Sequence, residues 1–195
     1  TDLRDCFLAG SGCVRLILVR HPKPNCESGL CYGRLGLECD SDALETAAAR
    51  LKPLAAGCRI VTSPAKRAAG LARRLGADIA IEPRLQELHF GDWEGRRWDD
   101  LGREPVEAWQ RGLPGSAPPN GESLTALASR CAHWLRSLDP DGPTVLAVTH
   151  AGPIRVIRAL LRGEPLLAYF GARVPFAEPI FLKLAKQQGR TESRN

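Results

Sequence analysis

The chain has 195 residues, of which 44% are hydrophobic and 25% are charged, and its net charge is +5. This composition is typical of a soluble globular protein and excludes a largely disordered chain, while the length corresponds to one domain over residues 1–195. No apolar stretch approaches the roughly 20 residues of a transmembrane helix, and the N-terminus has no signal-peptide pattern. We therefore expect a cytoplasmic protein without a membrane partner, with a flexible extension over residues 1–12 and a frayed tail over 186–195.

The positive charge is spread over arginines that are interspersed with acids, so it fits a small anionic ligand. A nucleic-acid partner is not expected, because that would require a contiguous basic face. The seven cysteines include no C-x-x-C pair and favour reduced thiols over a disulfide framework. Cys26, Cys31 and Cys39 lie close together in the sequence, but their spacing matches no zinc pattern, and we expect no metal site.

The first half of the chain predicts strands that alternate with helices. A long Gly/Pro/Cys-rich loop follows the first strand, and loops of that length tend to be functional. Asp42, with Glu45 three residues later, is typical of the N-terminal cap of the first helix. Ser63 and Pro64 favour the N-cap and first position of the second helix. The predicted elements are strands over 13–19, 58–63 and 78–83 and helices over 43–55 and 65–76.

The second half resumes the alternation after an irregular region over 84–119, in which short helices are expected around 98–111. Pro153 and Gly163 favour the start and the end of the last helix. Strands alternating with helices predict an α/β fold, a three-layer α/β/α sandwich with a mostly parallel central sheet. The remaining predicted elements are an amphipathic helix over 122–138, a strand over 144–149, a helix over 151–163 and one or two strands within 174–185.

Ionisable side chains follow the ends of three predicted strands. Arg20 and His21 end the first strand, Arg67 lies one turn into the helix after the second, and His150 follows the fourth. Because ligands of open α/β sheets bind outside the carboxyl ends of the strands, we expect these side chains to converge. Arginine and helix N-termini suit phosphate oxygens, and a neutral imidazole is a competent nucleophile. The pattern predicts a phosphoryl-transfer site, with Glu87 as the candidate acid for the leaving group.

Four segments, in this order, resemble the signatures of the histidine phosphatase superfamily, which includes phosphoglycerate mutases and many phosphomonoesterases: LVRHP, TSPAKRA, LQELHFGDWEG and VTHAG. The match spans roughly residues 14–160. The stretch RHPKPNCESGLCYGR is most similar to the α-ribazole phosphatases of cobalamin biosynthesis. The resemblance implies a phosphoglycerate mutase-like fold and the hydrolysis of a small phosphorylated metabolite, α-ribazole 5′-phosphate, without a metal or cofactor. It is compatible with a homodimer.

The resemblance also implies a role for each candidate catalytic residue. His21 would be the nucleophile and become phosphohistidine. Glu87 would donate a proton to the leaving group and later act as base for the attacking water. Arg20 and Arg67 would bind the phosphoryl oxygens, and His150 would complete that pocket and stabilise the developing charge.

The loop after the first strand departs from the family pattern. Pro22 replaces the usual glycine, which removes a backbone N–H and restricts His21 to extended backbone angles. Lys23 and Pro24 replace the acid and hydroxyl residues that are frequent there, and Lys23 either contacts the substrate or is solvated. Arg34, in the YGR triplet, is a further candidate substrate-binding residue.

Three residue assignments stay open at this stage. Glu94, as a surface acid in the same segment, is the rival of Glu87. The stretch NGESL is either a helix cap, which is the safer interpretation, or a turn that brings Glu122 or Ser123 near the site. Trp93 and Trp98 are expected to be packing residues, with the border of the pocket as the alternative for either.

Three alternative functions also stay open. A broad-specificity sugar phosphatase has the same motifs. A phosphoglycerate mutase is disfavoured because the short chain leaves no room for the long substrate-binding insertion of those enzymes. A catalytically silent phosphate-binding module usually lacks the nucleophile or a phosphate arginine, whereas all of these residues are present in this chain.

Overall fold

Five strands form one sheet in the computed structural model, which describes residues 16–184. They are β1 (Leu16–Arg20), β2 (Arg59–Thr62), β3 (Ile79–Ile81), β4 (Val145–Thr149) and β5 (Pro179–Leu182). Their order across the sheet is β3–β2–β4–β1–β5, and every neighbouring pair is parallel except β1 with β5. The sheet is therefore mostly parallel, as the sequence predicts.

Two pairs of helices cover the two faces of the sheet. The α-helices within the described residues are α1 (Ser41–Ala55), α2 (Lys66–Leu75), α3 (Arg103–Arg111), α4 (Leu124–Arg136) and α5 (Ala151–Arg162). Helices α1 and α2 pack on one face, and α4 and α5 pack on the other. This arrangement confirms the three-layer α/β/α sandwich. None of the helices within residues 16–184 is long and apolar enough to cross a membrane.

The central strands β1 and β4 are buried on both faces. Leu16 and Leu18 of β1 pack in the core beneath α4 and α5, whereas Ile17 and Val19 pack in the core beneath α1 and α2. All four side chains are fully buried. Burial on both faces explains why this strand appears in the sequence as a continuous apolar run instead of an alternating pattern.

Both predicted helix caps in the first half are wrong. Helix α1 is capped by Asp40, not Asp42, because Asp40 Oδ1 accepts from the backbone N–H of Asp42 at 2.8 Å and from that of Ala43 at 3.3 Å. Helix α2 begins at Lys66, and its N-cap position is held by a residue without a capping side chain, Ala65. Ser63 lies too far upstream to cap the helix, and its hydroxyl contacts another side chain, described below.

The remaining boundaries agree with the sequence to within a few residues, and the predicted third strand is shortened to three residues. Ser123 caps α4, since its Oγ accepts from the backbone N–H of Ala126 at 3.1 Å. Gly163 ends α5 in the left-handed conformation, with φ of 65°. The extension over 1–12, the first residues of the strand predicted at 13–19 and the tail over 186–195 lie outside the described residues.

The cap of α1 can be tested by three substitutions. Asp40→Ala removes the acceptor of two backbone N–H groups and is expected to lower the free energy of unfolding by about 1 kcal/mol. Asp40→Asn keeps an acceptor oxygen and should cost less. Asp42→Ala is the matched control, and urea unfolding measures all three. A larger loss in Asp42→Ala than in Asp40→Ala would contradict the observed cap.

Candidate active site

The carboxyl ends of β1, β2 and β4 place three polar residues at one edge of the sheet. The backbone N–H of His21 donates to the carbonyl of Thr149 at 3.0 Å, and that of Ser63 donates to the carbonyl of Val148 at 3.0 Å. These bonds extend the parallel pairing by one residue beyond each strand and bring His21 and Ser63 beside His150. The His21 and His150 ring centroids are 5.0 Å apart. The predicted convergence of strand ends is therefore present in the structure.

The hydrogen bonds of His21 define its tautomer. Nδ1 lies 2.6 Å from the carbonyl oxygen of Pro22, and because a carbonyl oxygen only accepts, Nδ1 must carry the proton. The other ring nitrogen, Nε2, accepts from Nε of Arg67 at 3.2 Å. His21 therefore presents the lone pair of Nε2 towards a guanidinium group, which is the form of imidazole that can attack an electrophile.

Both histidines are neutral over a wide pH range. Burial lowers the pKa of His21 to about 3, and the nearby charges of Arg67 and Arg20 act in the same direction. Burial also lowers the pKa of His150 well below its ordinary value, together with His21 and Arg67. Protonation of either ring costs free energy, because each ring lies away from water and close to positive charges.

Arg67 connects helix α2 to the loop after β1. Its guanidinium is fully buried and donates through Nη1 to the carbonyl of Leu35 at 2.8 Å and through Nη2 to the carbonyl of Gly33 at 2.5 Å. With the bond to His21, every nitrogen of the group has a partner. Burial lowers the pKa of Arg67, and the carboxylate of Glu87 is the strongest opposing influence. Glu87 therefore lies near this cluster.

Two buried nitrogen atoms of the cluster have no hydrogen-bond partner among residues 16–184: Nε of Arg20 and Nδ1 of His150. Arg20 is positioned by the carbonyl of Val174, to which Nη1 donates at 2.7 Å, and by the Phe176 ring, 3.7 Å from the guanidinium carbon. An orphaned buried donor costs free energy, so these two atoms mark where the oxygens of an anion would be stabilised.

Ser63 orients His150. Its Oγ accepts from the backbone N–H of Ala65 at 3.3 Å and lies 2.8 Å from Nε2 of His150. The hydroxyl can donate its proton to Nε2, and in that tautomer Nδ1 of His150 carries the N–H and is a donor. The sequence offered Ser63 only as a helix cap, and this contact could not be found from local patterns.

Glu87 is bound to the first turn of α5. Its Oε1 accepts from the backbone N–H of Leu88 at 2.9 Å and from that of Gly152 at 3.0 Å. A Cβ atom at position 152 would overlap Oε1, so the glycine of the VTHAG segment is required for this contact. The carboxylate is consequently positioned by the helix that His150 precedes.

Glu94 is not the surface acid that the sequence suggests. Its side chain is only 9% exposed, and its oxygens accept from the backbone N–H groups of Arg34 and Phe90 at 2.9–3.0 Å. Glu94 thus joins two loops through backbone bonds. Of the two acids, only Glu87 contacts the helix that follows His150.

Arg34 and Lys23 occupy different surroundings. Arg34 Nη2 donates to Oε2 of Glu122 at 3.3 Å, and Glu122 in turn accepts from Nε of Arg130 at 2.7 Å. Lys23 is exposed and forms no hydrogen bond or ion pair within residues 16–184. A role of either residue in substrate binding stays a prediction.

Arg130 is a residue of the site region that the sequence analysis missed. It donates to the backbone carbonyls of Arg84 at 2.7 Å and of Glu87 at 3.0 Å. Burial raises the pKa of its partner Glu122, but the bonds and charge of Arg130 outweigh this and lower it. Glu122 binds Arg130, and Arg130 in turn binds the carbonyl of Glu87, while the placement of Glu122 near the site stays a prediction.

Two cavities meet beside Glu87. The smaller, of about 250 Å³, is lined by Arg20 and Tyr32 among others, and the larger, of about 320 Å³, is mostly apolar and aromatic. They share four lining residues: Glu87, Phe90, Trp98 and Arg155. Trp98 therefore borders the site, as the alternative interpretation of the sequence had it.

Cys31 and Cys39 of the loop after β1 are protonated thiols. Cys26, Cys31 and Cys39 are unpaired, and burial raises the pKa of Cys31 to about 12 and that of Cys39 to about 11. Across residues 16–184, no group of three or more His, Cys, Asp or Glu side chains is arranged to bind a metal ion.

Comparisons with known proteins agree with this geometry. The sequence matches the model of the "Histidine phosphatase superfamily (branch 1)" over residues 16–195. It is 30% identical to the adenosylcobalamin/alpha-ribazole phosphatase of Escherichia coli over 174 residues, 83% of this chain and 85% of that protein. The Salmonella typhimurium protein of the same name is 34% identical over 125 residues, which cover 60% of this chain and 62% of the relative, less than two thirds of its length. The structure of alpha-ribazole phosphatase from Shigella flexneri superimposes with a TM-score of 0.73, at 28% identity and with 83% and 86% of the two chains covered.

The neutral state of His21 predicts a pH dependence of stability. The unfolded chain takes up a proton near pH 6.5, whereas the folded protein resists protonation of His21 down to about pH 3. The free energy of unfolding should therefore fall as the pH falls through this window, by up to about 1.4 kcal/mol per pH unit for this proton.

Unfolding midpoints in urea between pH 7 and pH 4 test the prediction. His21→Gln, which cannot ionise, should show a shallower pH slope than the unmodified protein. His133→Gln, a substitution of an exposed histidine, is the control and should keep the original slope. Equal slopes in all three proteins would show that His21 does not resist protonation in the folded state.

Proposed function

The chain belongs to the histidine phosphatase superfamily, and from this membership we propose that it hydrolyses a small phosphomonoester through a phosphohistidine intermediate. The observation that supports the mechanism most strongly is the tautomer of His21, whose Nδ1 proton is bound by the carbonyl of Pro22 while Nε2 keeps its lone pair. Residues 1–195 form one catalytic domain in this proposal.

In the first step, the phosphoryl group binds between Arg20, His150 and Arg67. The two orphaned nitrogens, Nε of Arg20 and Nδ1 of His150, donate to its oxygens. The Nε–H of Arg67 turns from His21 to a phosphoryl oxygen, which frees the lone pair of His21 Nε2 for in-line attack. The bond from phosphorus to the ester oxygen breaks as the bond to Nε2 forms.

Glu87 acts on the other side of the transferred group. In its protonated form it delivers a proton to the departing ester oxygen, so that an alcohol leaves instead of an alkoxide. In the second step, the carboxylate accepts a proton from water as the water attacks the phosphohistidine. Inorganic phosphate leaves, His21 regains its lone pair, and Glu87 is protonated again for the next cycle.

Pro22 is compatible with this mechanism. Its contribution to the observed site is a carbonyl oxygen, which proline supplies as well as glycine does. The N–H that proline lacks would be one donor fewer for the phosphoryl group, while Arg20, Arg67 and His150 still supply donors. We therefore propose that Pro22 leaves the enzyme active.

The proposed substrate is α-ribazole 5′-phosphate. It is supported by the names of the Escherichia coli, Salmonella and Shigella relatives and by the aromatic cavity beside Glu87, which suits a flat leaving group. The proposed partner is thus a small phosphorylated metabolite. Cytoplasmic location and a homodimeric assembly stay sequence-based expectations within this proposal.

Phosphate release tests the proposal directly. With a chelator present, we expect release from α-ribazole 5′-phosphate to exceed release from 3-phosphoglycerate and simple sugar phosphates. His21→Ala should lower kcat/KM by about 10³-fold or more, because the nucleophile is lost. The exposed His133→Ala is the matched control. A rapid quench in alkali, where phosphohistidine is stable, should trap label on the unmodified protein and none on His21→Ala.

Two results would contradict the proposal. Equal phosphate release by the unmodified protein and His21→Ala would exclude the covalent step. No release from any phosphate ester, with tight binding of inorganic phosphate, would support the silent binding module instead.

The role of Glu87 is tested by the leaving group. Glu87→Gln keeps the shape and an acceptor for the Gly152 N–H but cannot donate a proton as an acid. We expect a loss of about 10²–10⁴-fold in kcat for alkyl phosphates. The loss should be much smaller for 4-nitrophenyl phosphate, whose leaving group needs no proton. A uniform loss on both substrates would indicate a binding role for Glu87.

A further inference from the structure

The segment that carries Glu87 belongs to no helix or strand, and side chains bind its backbone. The carbonyl of Glu87 accepts from Nη2 of Arg130 at 3.0 Å. The backbone N–H of His89 donates to Oε2 of Glu122 at 3.3 Å. Arg130 on α4 and Glu122 just before that helix therefore hold the two peptide groups on either side of Leu88.

Arg130 also binds a second carbonyl of the same segment. Its Nη1 donates to the carbonyl of Arg84 at 2.7 Å, three residues before the carbonyl that Nη2 contacts. Because a guanidinium group is planar and rigid, two of its donors fix the relative position of two carbonyls. Arg130 thus constrains the path of the chain from Arg84 to Glu87 and not the position of a single atom.

Glu122 in turn fixes the orientation of Arg130. Its Oε1 accepts from Nε at 2.7 Å and its Oε2 accepts from Nη2 at 2.9 Å, which is the bidentate geometry of a strong carboxylate–guanidinium pair. Only 16% of the Arg130 side chain and 12% of the Glu122 side chain are exposed. Solvent therefore screens and loosens this pair much less than it does an ion pair on the surface.

The Arg130–Glu122 pair lies behind the site and not on its surface. Of the described residues that line the two cavities beside Glu87, none belongs to the pair. The carboxylate of Glu87 faces the other way, and both of its oxygens lie within 3.2 Å of the backbone nitrogen of Gly152. A substrate in these cavities would meet Glu87 without touching Arg130 or Glu122.

Arg130 can influence the reaction by two routes. One is geometric, through the backbone of Glu87. The other is electrostatic: burial is the main cause of the low pKa of His150, and the positive charge of Arg130 adds to it. A substitution that keeps the charge and removes the planar group separates the two routes.

We propose that the Arg130–Glu122 pair positions Glu87, by holding the backbone from which the carboxylate reaches the Gly152 N–H and the departing ester oxygen. The proposal rests on the proposed phosphatase function, in which Glu87 supplies the proton. Arg130 and Glu122 are positioning residues in it, because they act through Glu87. Their loss should misplace the acid without removing it.

The test compares two phosphate esters of similar size in Arg130→Lys. Lysine keeps the positive charge, but its ammonium group is a point donor that cannot reproduce the planar fork. We expect kcat for benzyl phosphate, whose leaving group needs a proton, to fall by about tenfold or more, because a small displacement of a catalytic group is costly. For 4-nitrophenyl phosphate, whose leaving group needs no proton, kcat should stay within about threefold, as should KM for both esters.

Arg136→Lys is the matched control, since it changes an exposed arginine of the same helix, and it should alter neither rate. Glu122→Gln removes the charge and one acceptor of the pair and should lower kcat for benzyl phosphate selectively as well. In a Glu87→Gln background, Arg130→Lys should cause no further loss on benzyl phosphate, because the acid to be positioned is absent. An unchanged ratio of the two rates in Arg130→Lys, or a full further loss in the Glu87→Gln background, overturns the proposal.

Amide hydrogen exchange separates this proposal from the proposed function. The Gly152 N–H should exchange about tenfold faster or more in Arg130→Lys, because the carboxylate that protects it is released, while the amide of Leu146 in the centre of the sheet keeps its rate. If no phosphate ester is hydrolysed but Gly152 exchange responds in this way, the phosphatase function fails and the positioning of Glu87 stands. If the unmodified protein hydrolyses both esters while Arg130→Lys changes neither their ratio nor the exchange of Gly152, the phosphatase function stands and the positioning proposal is wrong.

Discussion

The buried guanidinium of Arg67 is the constraint on which the rest of the site depends. It is fully buried, forms no ion pair with a carboxylate within residues 16–184, and donates to two loop carbonyls and to the lone pair of His21, while the nearby carboxylate of Glu87 favours its charged form. Arg20 adds a second cation with an orphaned nitrogen. Burying uncompensated positive charge is costly unless an anion completes the site. Burial and the same charges keep His21 neutral, so the feature that would attract an anion also preserves the lone pair of the proposed nucleophile.

Much of this site could be predicted from the sequence, for a physical reason. β1 and β4 are buried on both faces, so any ionisable residue at their ends stands out against an apolar run, and parallel pairing brings such ends together. His21 and His150 are found in this way. The contact of Ser63 with His150 and the bond of Arg130 to the carbonyl of Glu87 join residues far apart in the chain. Nothing in the local sequence around these residues indicates their partners. The cap at Asp40 was missed because two acids two residues apart compete for the same helix start.

The regular elements and the irregular segment of the chain contribute different parts of the site. The groups that we propose to bind the phosphoryl group lie on strand ends and helix starts, where backbone hydrogen bonds hold the chain in place. Half of the residues that line the larger cavity beside Glu87 come from the segment over 84–119, which has no hydrophobic period in the sequence. Such segments can change their side chains without disturbing the sheet. We therefore expect the leaving group to be determined by residues that pattern analysis cannot assign, and the reaction class by residues that it can.

The bond between Gly152 and Glu87 has a mechanical consequence. His150 is the N-cap of α5 and Gly152 lies in its first turn, so the loop segment that carries Glu87 is attached to the same rigid body as His150. Thermal fluctuation of that loop is thereby transmitted to the helix instead of changing the spacing between the carboxylate and His150. If the two groups do act on opposite sides of one phosphorus atom, their separation is kept by a single backbone amide. The distance between the carboxylate and His150 then varies only as much as the first turn of a helix moves, and not as much as a surface loop moves.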